Sequence, residues 1–264
     1  MITMLFLLRI AVGFYVLAAG CAFAALVLNL RRLVIWAPVL ASVGLLAHVA
    51  QMAIEGTQLG GLPLRDYRDV LSLLCAAAIL VYLVSFARMR LEVLGVIILP
   101  VVLTLIFISN LLPNDVLPVS RDLEKVLMHF HIFIAVLGAA ALFLTFAASV
   151  LYLVQEYHLK EKRPARFGLR LPSLERCDSM GKLSLMWGFP LLTLTIVTGG
   201  IWSANFRSRY WLWEGKETFA LLAWMILGII ITARLLRGWR GRKAAYLTII
   251  AFAALILRMI GVVL

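Results

Sequence analysis

The sequence predicts an all-α membrane protein, a polytopic transmembrane helix bundle of about eight spans with both termini outside. Three observations carry that expectation: the apolar content, the length of the uninterrupted apolar runs, and the placement of basic residues between them. Of 264 residues, 64% are hydrophobic and 14% charged, more apolar surface than a soluble domain of this size can cover. Runs of about 20 apolar residues match a helix crossing a hydrocarbon core of about 30 Å, where the backbone must satisfy its own hydrogen bonds. The short alternating segments of a transmembrane barrel are absent.

The spans fall at roughly 4–29, 33–54, 69–88, 91–111, 127–155, 184–203, 217–235 and 244–264. The first is read as a span and not a cleaved signal, because its apolar stretch is long and Arg31 and Arg32 follow it as an anchor. Alternate connections hold most of the 25 basic residues: Arg31 and Arg32, Arg88 and Arg90, then Lys160, Lys162, Arg163, Arg166, Arg170, Arg176 and Lys182, and finally Arg234 to Lys243. The remaining connections hold most of the 13 acidic residues, among them Glu55, Asp66, Asp69, Asp115, Asp122 and Glu214. Basic connections stay cytoplasmic, which sends both termini outward. The formal charge of +12 is thereby accounted for by topology, and no nucleic-acid partner is expected. The longest connection, about 156–183, is too short and too basic to build a core, so the chain reads as a single membrane domain over 1–264. Cys21, Cys75 and Cys177 form no CxxC pair and read as packed thiols.

Chemistry-bearing residues gather in the outer connections. The segment from Gly60 to Asp69 joins turn formers to an Arg-Asp-Tyr-Arg-Asp cluster, and Ser120 to Leu123 reads as a helix start, that of a short interfacial amphipathic helix. The connection at about 202–217 is the densest: Trp202, Phe206, Tyr210, Trp211 and Trp213 interleave with Arg207, Arg209 and Lys216 before Glu217. Tryptophans at a membrane surface ordinarily form an interfacial belt. Flat aromatic faces with cationic side chains also suit a large planar ligand bearing carboxylates, such as a porphyrin.

The chain has four histidines. His48 lies within a span, where an imidazole is costly unless it meets a partner or a cavity. His129 and His131 open the fifth span about 200° apart around the helix, so they do not share one cavity, and His131 is the deeper. His158 beside Lys160 reads as a solvated residue at a helix C-terminus. GxSxG, HExxH and Walker sequences are absent, which leaves a hydrolase or nucleotide-driven pump unsupported. Gly188, Pro190, Gly199 and Gly200 punctuate the sixth span, as in the discontinuous helices of transporters or in a helix packing through small residues.

The stretch WGFPLLTLTIVTGGIWSANFRSRYWLWEGKETFALLAWMILGIIITAR, with PLRDYRDVLSLL, HIFIAVLGAAALFL and PSLERCD upstream of it, resembles the cytochrome c assembly proteins of the CcsA/HemX type. Their tryptophan-rich outer loop is called the WWD domain. The resemblance implies a haem-handling membrane protein supporting cytochrome c-type biogenesis in a bacterial cytoplasmic membrane, with haem b as the group bound or transported. It implies His131 and His48 as candidate ligands of haem iron, Trp211, Trp213 and Trp202 as planar contacts, Arg207, Arg209 and Lys216 as propionate partners, and Glu217 as part of the loop motif. It also implies partners: haem, membrane lipid, a cytochrome c assembly protein or an enzyme of haem biosynthesis.

The sequence departs from the family pattern in four places. Glu214 stands where aspartate is usual and Gly215 where proline is usual; Thr232 occupies the late-span histidine position, and no histidine follows His158. Two of four expected ligands remain, which points to the shorter eight-span HemX-like branch and to a protein that attaches no haem by itself. Two other readings stay open at this level. One is a regulator of haem biosynthesis acting through the basic connection 156–183; the other is a small-molecule transporter.

The topology is checked by placing single cysteines at 204–216 in an otherwise cysteine-free protein. Membrane-impermeant maleimide is expected to label them from the outer side, and labelling only after permeabilisation would invert the orientation.

Overall fold

In the computed structural model the described residues are 2–28, 30–59, 61, 63, 64, 66–89, 91–111, 122–161, 171–207, 210, 213 and 215–263. They form eight α-helices: α1 (Ile2–Val27), α2 (Arg31–Leu59), α3 (Tyr67–Met89), α4 (Leu94–Leu111), α5 (Asp122–Lys160), α6 (Leu174–Arg207), α7 (Gly215–Arg237) and α8 (Arg242–Val263). Among the described residues, seven of them, α1 to α7, are long and apolar enough to cross a membrane. Large apolar side chains such as Ile35, Leu46, Phe107 and Leu111 are exposed, the reverse of a soluble protein, because lipid is their solvent.

The chain divides into two compact units, one holding α1 to α4 and the other α5 to α8. In the first, α1 packs on α2 and α4, and α3 packs on the same two helices, which closes a ring of four. Its seams follow from residue size. On α1 the buried positions are Ala11, Tyr15, Ala18, Ala22 and Ala25; on α2 they are Val34, Ala37, Pro38, Ala41, Gly44, His48 and Gln51. Steps of three and four keep one narrow face turned to a neighbour, and small residues let the backbones approach where burial of apolar surface gives no drive in lipid. Gly44 shows the closeness: a Cβ there would lie 2.7 Å from the Tyr15 ring. On α4, a Cβ at Gly95 would lie 2.9 Å from the Tyr82 hydroxyl.

The second unit repeats the cyclic order: α5 packs on α6 and α8, and α7 packs on α6 and α8. Here the glycines receive leucines. A Cβ at Gly188 would come 2.7 Å from Leu142, and one at Gly138 would come 3.1 Å from Leu191, so α5 and α6 interlock from both sides. Leu142, Leu185, Leu192, Leu227 and Ile230 form the core, with Phe189 stacked on Trp224 at 5.7 Å between centroids.

The sequence expectation placed helix ends where hydropathy falls, and α2, α5 and α6 run well beyond those ends. α2 continues to Leu59; at 1.5 Å per residue, His48 lies about 16 Å from its C-terminal end, against about 9 Å by the sequence reading. α5 begins at Asp122, so the helix start near Ser120 opens the fifth span itself and not a separate interfacial helix, while Ser120 lies outside the described residues. At its other end α5 reaches Lys160, and α6 begins at Leu174 and runs on to Arg207, so much of the expected basic connection is helical. The cause is amphipathicity beyond the apolar run: Cys177, Met180, Gly181 and Ser184 are buried one above another while Arg176, Lys182 and Leu183 are exposed. Asp178 on the added turns accepts from Arg234 Nη1 at 3.0 Å and from the Gly241 N–H at 3.3 Å, which ties α6 to the α7–α8 turn. That turn needs Gly238 and Gly241 at φ +61° and +78°. α6 is unbroken through Gly188, Pro190, Gly199 and Gly200, so these residues serve packing and do not interrupt the helix.

Substituting Gly44→Ala should destabilise the protein by about 1–3 kcal/mol through overpacking against Tyr15. Gly20→Ala, with no atom within 4 Å of its Cβ position, should be neutral or stabilising. Thermal unfolding in detergent compares the two, and equal effects would contradict the α1–α2 seam.

Candidate haem-contact site

The candidate site of the second unit is built on the N-terminal part of α5, the C-terminal part of α6 and the start of α7. His131 reaches across from α5 to α6, where its Nδ1 lies 2.8 Å from the Thr198 hydroxyl oxygen. That hydroxyl donates to the Leu194 carbonyl one turn back at 2.7 Å. The next residue, Gly199, makes room for the ring: a Cβ there would lie 3.1 Å from His131 Cε1. One turn on, Trp202 is half-buried. The connection after α6 returns over the helix, since a Cβ at Gly200 would meet the Tyr210 carbonyl oxygen at 3.6 Å.

Trp213 holds a left-handed backbone, φ +57°, the only described non-glycine residue with positive φ. Its N–H donates to Glu217 Oε2 at 3.0 Å, in the manner of a capping box in which a carboxylate in the first turn reaches back to the preceding backbone. A bulky residue in this conformation costs of order 1–2 kcal/mol, which neighbouring contacts must offset. The indole is 72% exposed and the Tyr210 ring 74%. Two large aromatic faces therefore stand open beside the end of α6.

His48 stands in different surroundings. It is fully buried in the first unit, with Nδ1 3.3 Å from the Tyr15 hydroxyl and Nε2 2.8 Å from the Ser72 hydroxyl. Both ring nitrogens are engaged, so this imidazole joins α1, α2 and α3. His129, two residues before His131, is half-buried. Of the other residues expected from the sequence, Trp211 and Arg209 lie outside the described residues, as do the side chains of Arg207 and Lys216.

The structure thus brings His131, Trp202, Trp213 and Glu217 to neighbouring helix ends in one unit, and puts His48 in the other. Glu217 serves the backbone of Trp213. Thr198 went unremarked in the sequence, although a threonine followed by two glycines at the end of an apolar run is a visible signal.

A model of the family described as cytochrome C assembly protein matches residues 65–264. The chain belongs to this family. The match takes in His131, the tryptophan-rich connection and Glu217, and begins after His48. Among relatives, the chain is 28% identical over 244 residues to the cytochrome c biogenesis protein CcsA of Chlamydomonas reinhardtii, covering 90% of this chain and 68% of that protein. It is 25% identical over 274 residues to CcsA of Gloeobacter violaceus, covering 84% and 81%. Against CcsA of Guillardia theta it spans 64% of the relative's length, at 28% identity over 66% of its own. Among solved structures, cytochrome c haem lyase CcmF shares the fold with a TM-score of 0.70 at 15% identity, over 98% of this chain and 46% of that one. This membrane protein of the cytochrome c assembly family therefore spans about half of the haem lyase chain.

Glycine at position 213 should be more stable than alanine there by about 1 kcal/mol, because only alanine is penalised for left-handed backbone. Denaturant unfolding of the Trp213→Gly and Trp213→Ala proteins measures the difference. No difference would mean that the positive φ is not held in solution.

Proposed function

We propose that this protein binds haem b as cargo and presents it at the outer face of a bacterial cytoplasmic membrane for cytochrome c assembly. The observation that carries the reading is the His131 ring, buttressed by Thr198 and Gly199, in the same unit as the exposed indole of Trp213. The donor set suits a porphyrin. Porphyrin nitrogens already hold the iron, so a single imidazole beside aromatic faces suffices as the protein's ligand.

On this reading His131 would bind the iron, and Trp213, Trp211 and Trp202 would pack against the macrocycle. Arg207, Arg209 and Lys216 pair with the propionates, and Glu217 keeps Trp213 in place. Haem supplies the iron and the vinyl groups destined for attachment. The chain binds and orients it, and thioether formation requires an assembly partner that presents the apocytochrome. His48 is the second candidate ligand. For it to take iron, Ser72 or Tyr15 must release a ring nitrogen, so His48 is the weaker ligand of the two and the stronger structural element. Single-domain behaviour and outward termini belong to the same proposal.

The test is the absorption spectrum of the detergent-purified protein, with and without dithionite and after addition of haemin. A Soret band and sharp reduced bands are expected in wild type and lost in His131→Ala, in a protein that still folds and loses less thermal stability than His48→Ala. His48→Ala should lower stability by about 1–3 kcal/mol, because it removes a buried hydrogen-bonded group and leaves partners unsatisfied. Colourless protein that takes up no haemin would end this reading.

A further inference from the structure

α6 carries two threonines used alike. Thr193 donates its hydroxyl to the Phe189 carbonyl at 2.9 Å, and Trp224 Nε1 on α7 lies 2.8 Å from the same oxygen. Indole nitrogen only donates, so the direction is settled: the threonine gives its one proton to the carbonyl a turn back and accepts the N–H of the neighbouring helix. Thr198 repeats the geometry, with the Leu194 carbonyl at 2.7 Å, the Thr195 carbonyl at 3.2 Å and His131 Nδ1 at 2.8 Å.

A histidine, unlike an indole, has two neutral forms. If Nδ1 held the lone pair, the Thr198 proton would have to point at it. The 2.7 Å approach of Thr198 Oγ1 to the Leu194 oxygen would then be two acceptors in contact with no proton between them. With the proton on Nδ1, every short contact of Thr198 contains one hydrogen. Gly199 restricts the ring further, since a side chain there would displace Cε1, the carbon between the two nitrogens.

We propose that Thr198 is a positioning residue that holds His131 as the Nδ1–H form, so that Nε2 carries the basic lone pair of the neutral ring. This deepens the haem reading and rests on it, since it assigns to this chain's own residue the choice of which nitrogen meets iron. Hydrogen bonding at the second nitrogen of a metal-binding histidine sets both its orientation and its basicity.

The experiment has one arm without haem and one with it. Haem-free protein with ¹⁵N-labelled histidine is examined by NMR above about pH 8, where imidazole is neutral, and His131 is assigned by difference from His131→Gln. Wild type and Thr198→Ser should show a protonated Nδ1 and an unprotonated Nε2, and Thr198→Val should show mixed forms. A proton on Nε2 in wild type, or an unchanged pattern in Thr198→Val, overturns the proposal. In haemin titrations Thr198→Val should bind about 10- to 100-fold more weakly, with Thr198→Ser near wild type. Wild-type affinity in Thr198→Val also overturns it. If wild type takes up no haemin, the haem reading fails, while the NMR arm still decides the tautomer.

Discussion

A hydroxyl inside an apolar span has no water to donate to, and seven hydroxyls on α5, α6 and α8 find the carbonyl one turn back on their own helix. Thr145, Ser149, Ser184, Thr193, Thr195, Thr198 and Thr248 all do so, at 2.7 to 3.1 Å. Once the proton is committed, the oxygen is an acceptor with a fixed direction, ready for an N–H from a neighbouring helix. Trp224 is placed that way against α6, and His131 Nδ1 lies at the same distance from Thr198. The polar placement in the second unit therefore depends on a local rule of helix chemistry: a buried polar group must be satisfied, and the nearest satisfaction is intrahelical.

Packing follows a companion rule. Lipid tails are as apolar as leucine, so helices gain by close fit and not by withdrawal from water. Glycine and alanine line the seams, and the larger side chain of the facing helix fills the space each one leaves. Tyr15 lies against Gly44, Leu142 against Gly188 and the His131 ring against Gly199. In the last of these, the same close approach that joins α5 to α6 also restricts the imidazole.

The tryptophan-rich connection uses strain. Trp213 keeps a left-handed backbone because Glu217 holds its N–H from the first turn of α7. The helix start and the aromatic presentation are thus one structure, and the acidic residue that the sequence associates with ligand contact acts on the backbone of its neighbour. Strain of this kind at an exposed aromatic fits a surface prepared in advance for a flat ligand.

Much of this was written in the linear chain. Apolar run length sets the number of helices, since a backbone in hydrocarbon has few other ways to satisfy itself, and Trp-x-Trp with Lys216 and Glu217 marks the connection between the sixth and seventh spans. Helix ends were less legible, because hydropathy reports where lipid stops and not where a helix stops. α6 continues for ten residues before the expected span start, on the burial of Cys177 and Met180 and the Asp178–Arg234 pair. Which histidine stands with which partner lay beyond the sequence. The sequence offered both His48 and His131 as candidate ligands, and the partners that set them apart lie 24 and 67 residues away in the chain, Ser72 for one and Thr198 for the other. Periodicity and composition act locally and so determined the helices. The state of a ring nitrogen is set by whatever the neighbouring helix puts within 3 Å of it, and only the tertiary structure decides that.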